Sequence, residues 1–589
     1  MALQNKNLSN IAETRIKVWF AFLVFIMVIF GIRLFYIQVI RHNHYKAAAL
    51  ADQLKQYEIP ASRGVIKIHD GDNILPLVLN QQLYILFADP GYIKRADEVA
   101  TKLVPIVGGD SAEYSAKMKT KGTRYVVLAK KLTPEQAQKV KSLKAPGVGV
   151  VAQNFRVYPQ DTFASQALGF VNDEGIGRYG VEQALNKELK GVNGQMKAIT
   201  DVNGIPLAAS RDNVQVAPKN GSDVVLNLEF VLQQKLETIL KKRVESAKAS
   251  GASALIMDPN TGAVKAMANF PTYNPGDYFK IEDGAIFGNG TVQHSMEAGS
   301  VMKPLTAAAA LDQGAVKANQ TYADPASYLI DGFRVTNIEE DGGPGTRSVT
   351  DIVDFSLNTG ATWLLMQMGG GQLNEKGRTA WHEYLTNRYH FGQETGIEQG
   401  YESAGYVPGP KDNDTGINLT YANMSFGQAM TMTPIQMGAA LSSVVNGGTY
   451  YQPRLVDKFM NSDGTTTQTK PKVLARNVVS KKTTDELLPM MQTTVDHHNF
   501  HPAFDQSLYR VGGKTGTAQI AKPGGGYYDD RFNGAYIGFV GGDKIEYVIV
   551  VYVYTPKIGG YAGFAAAQPV FSDLAHMLID SSYVTPKRQ

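Results

Sequence analysis

No cysteine occurs in the 589 residues, which excludes disulfide staples and thiolate metal sites. That absence suits an exported protein that must avoid stray oxidation, although many cytosolic proteins share it. Nor is there an excess of one charge: 58 basic and 54 acidic residues, with the signs interspersed, leave a formal net charge of +4. Without a basic stripe the chain has no means of holding nucleic acid, and that class is set aside. Low-complexity runs and internal repeats are also missing, and 43% hydrophobic with 19% charged residues describes an ordinary folded polypeptide. One hydrophobic core does not usually organise a chain of this length, so two or more domains are expected.

Long apolar runs are scarce, with one exception. Val18 to Ile40 (VWFAFLVFIMVIFGIRLFYIQVI) is almost wholly apolar and as a helix spans about 34 Å, against a hydrocarbon core of about 30 Å. Arg33 and Gln38 interrupt it near its C-terminal end, where a long cationic stem reaches the headgroups while Trp19 and Tyr36 sit at the two interfaces. Ala47 to Ala49 looks like a signal-peptidase site, but the run exceeds the roughly 7–15 residues of a signal h-region, so the segment reads as an uncleaved anchor. Flanking charge does not orient it, since Lys6, Arg15 and Lys17 are matched by Arg41, Lys46 and Lys55.

Beyond the anchor, Arg41 to Asp223 mixes strands and short helices with turn signals such as Asp70-Gly71 and Gly108-Gly109, as a separate α+β module would. From Leu226 the pattern changes. Glu229 to Ser250 has helical spacing, Ala252 to Met257 is strand-like, Asp258-Pro-Asn-Thr-Gly262 turns, and Ala263 to Ala268 returns. Tyr536 to Val540 and Tyr547 to Tyr554 flank Gly541-Gly542-Asp543 as a second hairpin, and a helical pattern begins near Ala565. The expected fold class is therefore α+β: one antiparallel sheet with helices on its faces, plus a helical lobe. The expected division is a tail (1–17), the anchor (18–40), a non-catalytic module (41–225) and a catalytic domain (226–589).

Three short motifs lie in the last region: Ser300-Val-Met-Lys303, Ser356-Leu-Asn358 and Lys514-Thr-Gly-Thr517. Singly they are weak, and Ser300 alone reads as a helix N-cap. As a trio they resemble the S-x-x-K, S-x-N and K-T-G elements of β-lactamases and penicillin-binding proteins. The chemistry can be followed from the residues. Ser300 precedes a helix over Val301 to Leu311 in which Pro304 is tolerable in the first turn, and Lys303 lies one turn from it on the same face. A serine needs a base, and a lysine serves when burial and a second cation, here Lys514, keep it neutral. Ser356 can relay a proton to the leaving amine, and Asn358 offers an amide to Lys303 or to a substrate carbonyl. Thr515, Gly516 and Thr517 give an extended strand with a hydroxyl and a close backbone, suited to a peptide ending in a carboxylate. The N–H groups of Ser300 and Thr517 form the expected oxyanion hole.

The chain resembles the class B penicillin-binding proteins over nearly its whole length. The residues that carry this are Gly31-Ile-Arg-Leu-Phe-Tyr-Ile-Gln-Val-Ile40, Arg63-Gly64 with Asp70-Gly71, Arg156-Val-Tyr-Pro159 with Leu168-Gly-Phe-Val171, and Gly180-Val-Glu-Gln183 with Leu189-Lys-Gly191. Within the catalytic region they are Asp258-Pro-Asn-Thr-Gly262 with Asn274-Pro275, Ser425-Phe-Gly-Gln428 with Thr433-Pro434, and Asn446-Gly-Gly448 with Pro453. Ala298 departs from the family's Pro before Gly-Ser, and Ile68 with His69 from its acidic and basic pair. The resemblance implies a pedestal domain and a D,D-transpeptidase acting on D-Ala-D-Ala stem peptides, sensitive to β-lactams and needing no cofactor or metal. It also implies a single-pass plasma-membrane protein with its N-terminus cytoplasmic and its catalytic domain extracytoplasmic. Its partners would be an FtsW-like SEDS glycosyltransferase and other divisome membrane proteins. Gly513-Lys-Thr-Gly-Thr-Ala-Gln519 and the length favour the FtsI-like division type, with the elongation type as alternative. A β-lactamase is less favoured for want of a deacylating glutamate, as is a drug sensor or idle scaffold. Asp496-His497-His498 with His501 has metal-like spacing but no complete ligand set, and reads as a solvated loop. Glu402, Glu339 and Glu340 read as surface charge.

Overall fold

The computed structural model describes residues 2–45, 54–199, 214–338, 343–411, 416–498, 500–522 and 526–588. Glu339 and Glu340, like the cleavage-site look-alike Ala47 to Ala49, lie outside the described residues. The chain divides into two compact units, Met1–Ala61 with Gly191–Asn220, and Ser62–Lys190 with Gly221–Gln589. The stretch expected as one module, 41–225, is thus shared between them.

In the first unit a helix, Ala2–Phe35, runs on through a π-helical turn, Tyr36–Ile40. Its Glu13–Ile40 portion is long and apolar enough to cross a membrane and is unburied. At the C-terminal end Arg33 and Arg41 stand 5.7 and 5.8 Å from the Tyr36 ring centroid, and Arg41 Nε donates to the Tyr36 hydroxyl at 3.0 Å. This clusters cations and an aromatic ring where an interface would lie. A three-stranded antiparallel sheet of Leu54–Ile59, Gly194–Ile199 and Val214–Val216 completes the unit.

The second unit holds two large sheets. In one, the pedestal strands Ile66–Asp70, Asn73–Ala88, Val126–Leu132 and Val148–Val157 join Asp223–Glu229 and, from far along the chain, Val456–Met460. Ile68 and His69 have their reason in this pairing. Ile68 is fully buried, while His69 Nε2 meets Asp457 Oδ2 at 3.2 Å and Lys67 Nζ meets Asp223 Oδ2 at 2.9 Å. Beside the sheet Glu182 is fully buried between two arginines: Arg63 Nε lies 2.8 Å from Oε2 and Arg156 Nε 2.7 Å from Oε1. A buried carboxylate persists only when paired in this way, which accounts for arginine and glutamate recurring among the pedestal motifs.

The second sheet is antiparallel and five-stranded: β1 (Gly251–Met257), β2 (Val264–Phe270), β3 (Arg510–Ala521), β4 (Tyr527–Gly541) and β5 (Ile545–Tyr554), in the spatial order β2-β1-β5-β4-β3. Alternation sorts its faces. Ala252, Ala254 and Ile256 of β1 pack under α1 (Phe230–Ala247) and α5 (Gln568–Asp580), while Leu255 and Met257 turn to the helical lobe. That lobe is built around α2 (Lys303–Asp312), α3 (Asn358–Met368) and α4 (Lys481–His497). Residues 303–311 of α2 are all buried, as a helix apolar on every side requires. The expected sheet, hairpin and helical lobe are all present.

Candidate active site

Ser300 is not an N-cap. It sits in a 3₁₀ turn, Gly299–Met302, that tightens the start of α2 so that Lys303 opens the α-helix. Three packings hold the turn. Gly299 N donates to the Gly427 carbonyl at 2.9 Å, Thr306 Oγ1 donates to the Ser425 carbonyl at 2.7 Å, and β3 presses on the turn from the sheet side. That pressing requires glycine: a Cβ on Gly516 would lie 2.6 Å from the Ala298 carbonyl oxygen, and Gly299 has φ +63° with Thr517 O only 2.8 Å from where its Cβ would be. Ala298, with φ −79°, already holds the backbone angle that a proline would impose, so its departure from the family pattern leaves the turn unchanged.

Lys303 is fully buried, with Nζ 3.0 Å from Ser300 Oγ and 3.1 Å from Ser356 Oγ, and it also donates to the Ser356 carbonyl. Ser356 has φ +60°, the left-handed region that costs a non-glycine residue about 1 kcal/mol or more. This conformation turns both its carbonyl and its hydroxyl to one amine. Asp354 ends the short helix Val349–Asp354 before this loop, which then enters α3 at Asn358, whose Nδ2 donates to the Thr336 carbonyl at 2.9 Å. The expected amide donation to Lys303 or substrate is replaced in this state by that tether to the hairpin Ser327–Ile330 and Phe333–Thr336.

Across a cleft of about 230 Å3 from Ser300 stands β3, contributing Lys514, Thr515 and Thr517. Lys514 is fully buried, and its Nζ lies 3.4 Å from Thr515 Oγ1. Thr517 Oγ1 accepts from Gly563 N at 2.9 Å, which fixes the strand to the turn before α5. The structure therefore gathers Ser300, Lys303, Ser356, Lys514, Thr515 and Thr517 into one site, with Gly516 as the close contact and Asn358 at its edge.

Two groups escaped the sequence reading. Glu297, three residues before Ser300, accepts from Ala429 N and from the Tyr527 hydroxyl, both at 2.8 Å, and so ties the 425–429 turn and β4 to the nucleophile's loop. Burial pushes its carboxyl up, against those two hydrogen bonds. The solvated-loop reading of the histidines also needs correction. Asp496 and His497 belong to α4, His497 Nδ1 is 2.5 Å from the buried Asp354 Oδ2, and His498 lines the cleft, while Asp496, His497 and His501 are exposed as expected. Burial raises the Asp354 carboxyl, which His497 and Lys514 partly offset, and burial with the Lys514 and His497 charges pushes His498 down to about 4. Only the fold brings the end of α4 to the Ser356 loop, so the spacing of these histidines in the sequence gave no sign of the cleft. Glu402 is likewise no free surface charge, because it accepts from Thr395 N and Oγ1 and from Gly396 N and so staples a loop.

The penicillin binding protein transpeptidase domain family matches residues 252–576, and the penicillin-binding protein dimerisation domain family matches residues 58–226. Stage V sporulation protein D of Bacillus subtilis is 28% identical over 96% of this chain and 85% of its own length. Peptidoglycan D,D-transpeptidase FtsI of Escherichia coli is 24% identical over 90% and 86%. Among solved structures, penicillin binding protein 2X from Streptococcus thermophilus has a TM-score of 0.69 at 24% identity, covering 91% of this chain and 83% of that one. Penicillin binding protein 3 from Mycobacterium tuberculosis, complexed with aztreonam, has 0.66 at 24%, covering 90% and 98%. With the transpeptidase match spanning more than half of the chain, a dimerisation domain before it and the serine–lysine cleft in place, this chain belongs to the penicillin-binding proteins, as a class B D,D-transpeptidase.

Proposed function

We propose that the chain cross-links peptidoglycan stem peptides in septal wall synthesis through an acyl-enzyme on Ser300. The observation that carries this is the position of Lys303 Nζ, sealed from solvent between Ser300 Oγ and Ser356 Oγ. Burial and the nearby Lys514 both favour the neutral amine. Lys303 then takes the Ser300 proton as Oγ attacks the penultimate D-Ala carbonyl, and the tetrahedral oxyanion rests on the N–H groups of Ser300 and Thr517, each worth roughly 2.7–4 kcal/mol of barrier. Ser356 relays the proton to the departing D-Ala amine, and an acceptor amine then resolves the ester and frees Ser300. Lys514 and Thr515 hold the terminal carboxylate, Gly516 and Thr517 lie along the donor backbone, and Asn358 leaves Thr336 for the substrate or Lys303.

The FtsI relatives favour the division role, with an FtsW-like glycosyltransferase and other divisome membrane proteins as partners. One apolar helix near the N-terminus supports a single-pass plasma-membrane protein with residues 41–225 as pedestal and 226–589 as transpeptidase domain, both extracytoplasmic. Chemistry and place are tested separately. Intact-mass spectrometry with benzylpenicillin is expected to show one stoichiometric adduct that persists for minutes and is missing in Ser300→Ala; an adduct on Ser300→Ala would remove the nucleophile. A fluorescent fusion is expected at the septum, and uniform side-wall labelling would transfer the role to elongation.

A further inference from the structure

Among the described residues that line the cleft, two polar rings come from none of the three motifs, Tyr561 and His498. His498 follows α4 directly and lines the cleft with Ser300, Lys514 and Thr515. Its backbone is held from the preceding residue: His497 is bonded to Asp354 at 2.5 Å and stacks on Phe355 with centroids 6.2 Å apart. The His498 ring meets Phe564 edge-on at 6.0 Å and 86°, and its Nδ1 is buried without a hydrogen-bond partner. A ring nitrogen in that condition is unfavourable, which leaves the ring's hydrogen-bonding capacity unspent in this structure. Burial, Lys514 and His497 all oppose a charge on the ring, so at neutral pH it is an uncharged imidazole with one donor and one acceptor nitrogen.

We propose that His498 is a positioning residue for the carboxylate end of the donor strand, setting a neutral ring beside Lys514 that excludes water and supplies a ring N–H to the ligand's carboxylate. The proposal rests on the reading of Lys514 as the carboxylate anchor. A dry, neutral neighbour strengthens the attraction between ammonium and carboxylate, because both water and a second cation in that place would weaken or redistribute it. A ring N–H onto a carboxylate is moreover among the stronger hydrogen bonds. Neither contribution touches the Ser300–Lys303 pair, so the residue acts on capture and leaves the chemical step alone.

The test compares benzylpenicillin with its methyl ester, which lacks the carboxylate charge, on the full-length protein in detergent. His498→Ala is expected to raise the apparent Kd for benzylpenicillin about tenfold, with the limiting acylation rate within about twofold and the ester unaffected. His498→Gln, which keeps a donor of similar reach, should stay within about threefold of the parent. Should His498→Ala fail to fold, His498→Phe keeps the volume without ring nitrogens and carries the same expectation. Equal losses for both compounds, a fall in the limiting rate alone, or parent-like capture would overturn the assignment. Lys514→Ala separates the two ideas: if it discriminates between the compounds while the His498 variants do not, only His498 is wrong. If Lys514→Ala does not discriminate either, the carboxylate anchor itself fails and the role of His498 falls with it.

Discussion

A lysine with no exposed surface is among the rarest placements for that side chain, and Lys303 tolerates it through three oxygen partners from two serines. Such a group is held for reactivity or for structure, and the two can be separated by experiment. Lys303→Ala removes the base, and acylation by a fluorescent penicillin is expected to fall by about 10²–10⁴-fold, the usual yield of general-base catalysis. Parent-like labelling would take the base assignment from Lys303. Gly516 acts at the same scale through what it lacks. A methyl there would lie 2.6 Å from the Ala298 carbonyl and 2.9 Å from Val301 Cγ1, so β3 must lift from the turn that carries Ser300. Gly516→Ala is expected to cost about 1–3 kcal/mol of stability by overcrowding. It should also slow acylation about 10²-fold by displacing the Thr517 N–H. Stopped-flow labelling beside a denaturation curve would show whether rate falls with stability, and an unchanged rate would mean that the strand has room.

At the scale of elements, α1 does more than cover the sheet. Glu237 on its flank accepts from Ala164 N at 2.6 Å and from Gln233 Nε2 at 2.8 Å, which joins the catalytic domain's first helix to the loop after Pro159. Burial raises its carboxyl to about 7, against the pull of both hydrogen bonds. An acid whose pKa is raised by folding gives a contribution that is complete below the unfolded value near 4.5 and is lost as pH climbs through about 7. Glu237→Gln is therefore expected to remove a fall in Tm between about pH 4.5 and 7 and to be the more stable form at pH 8, as differential scanning fluorimetry across that range would show. A variant whose Tm runs parallel to the parent at every pH would place the titration elsewhere.

For the whole molecule, one segment decides topology. Glu13–Ile40 is the only membrane-length apolar helix among the described residues. Protease added to spheroplasts is expected to digest everything beyond about Arg41, and a protected C-terminal portion would reverse the orientation. The long apolar helix, the sheet hairpins and the three motifs were legible in the sequence because each is a local signal: an apolar length, a period or a short spacing. Val18 to Ile40 and the strand pairs around Gly262 and Gly542 needed no distant partner to be read. Contacts between distant segments were not legible. Val456–Met460 joins a pedestal sheet whose other strands begin near residue 66, Asp354 meets His497, and Glu297 meets Tyr527, each across more than a hundred residues. Sequence by itself brought out Ser300, Lys303 and Lys514 as the proposed nucleophile, base and cation, since residue type names them and one helical turn sets the first pair. Tertiary structure alone decided that Lys303 is dry, that Ser356 takes a left-handed backbone to reach it, and that His498 belongs to the cleft, because burial and charge proximity depend on what packs against a residue and not on its neighbours in the chain.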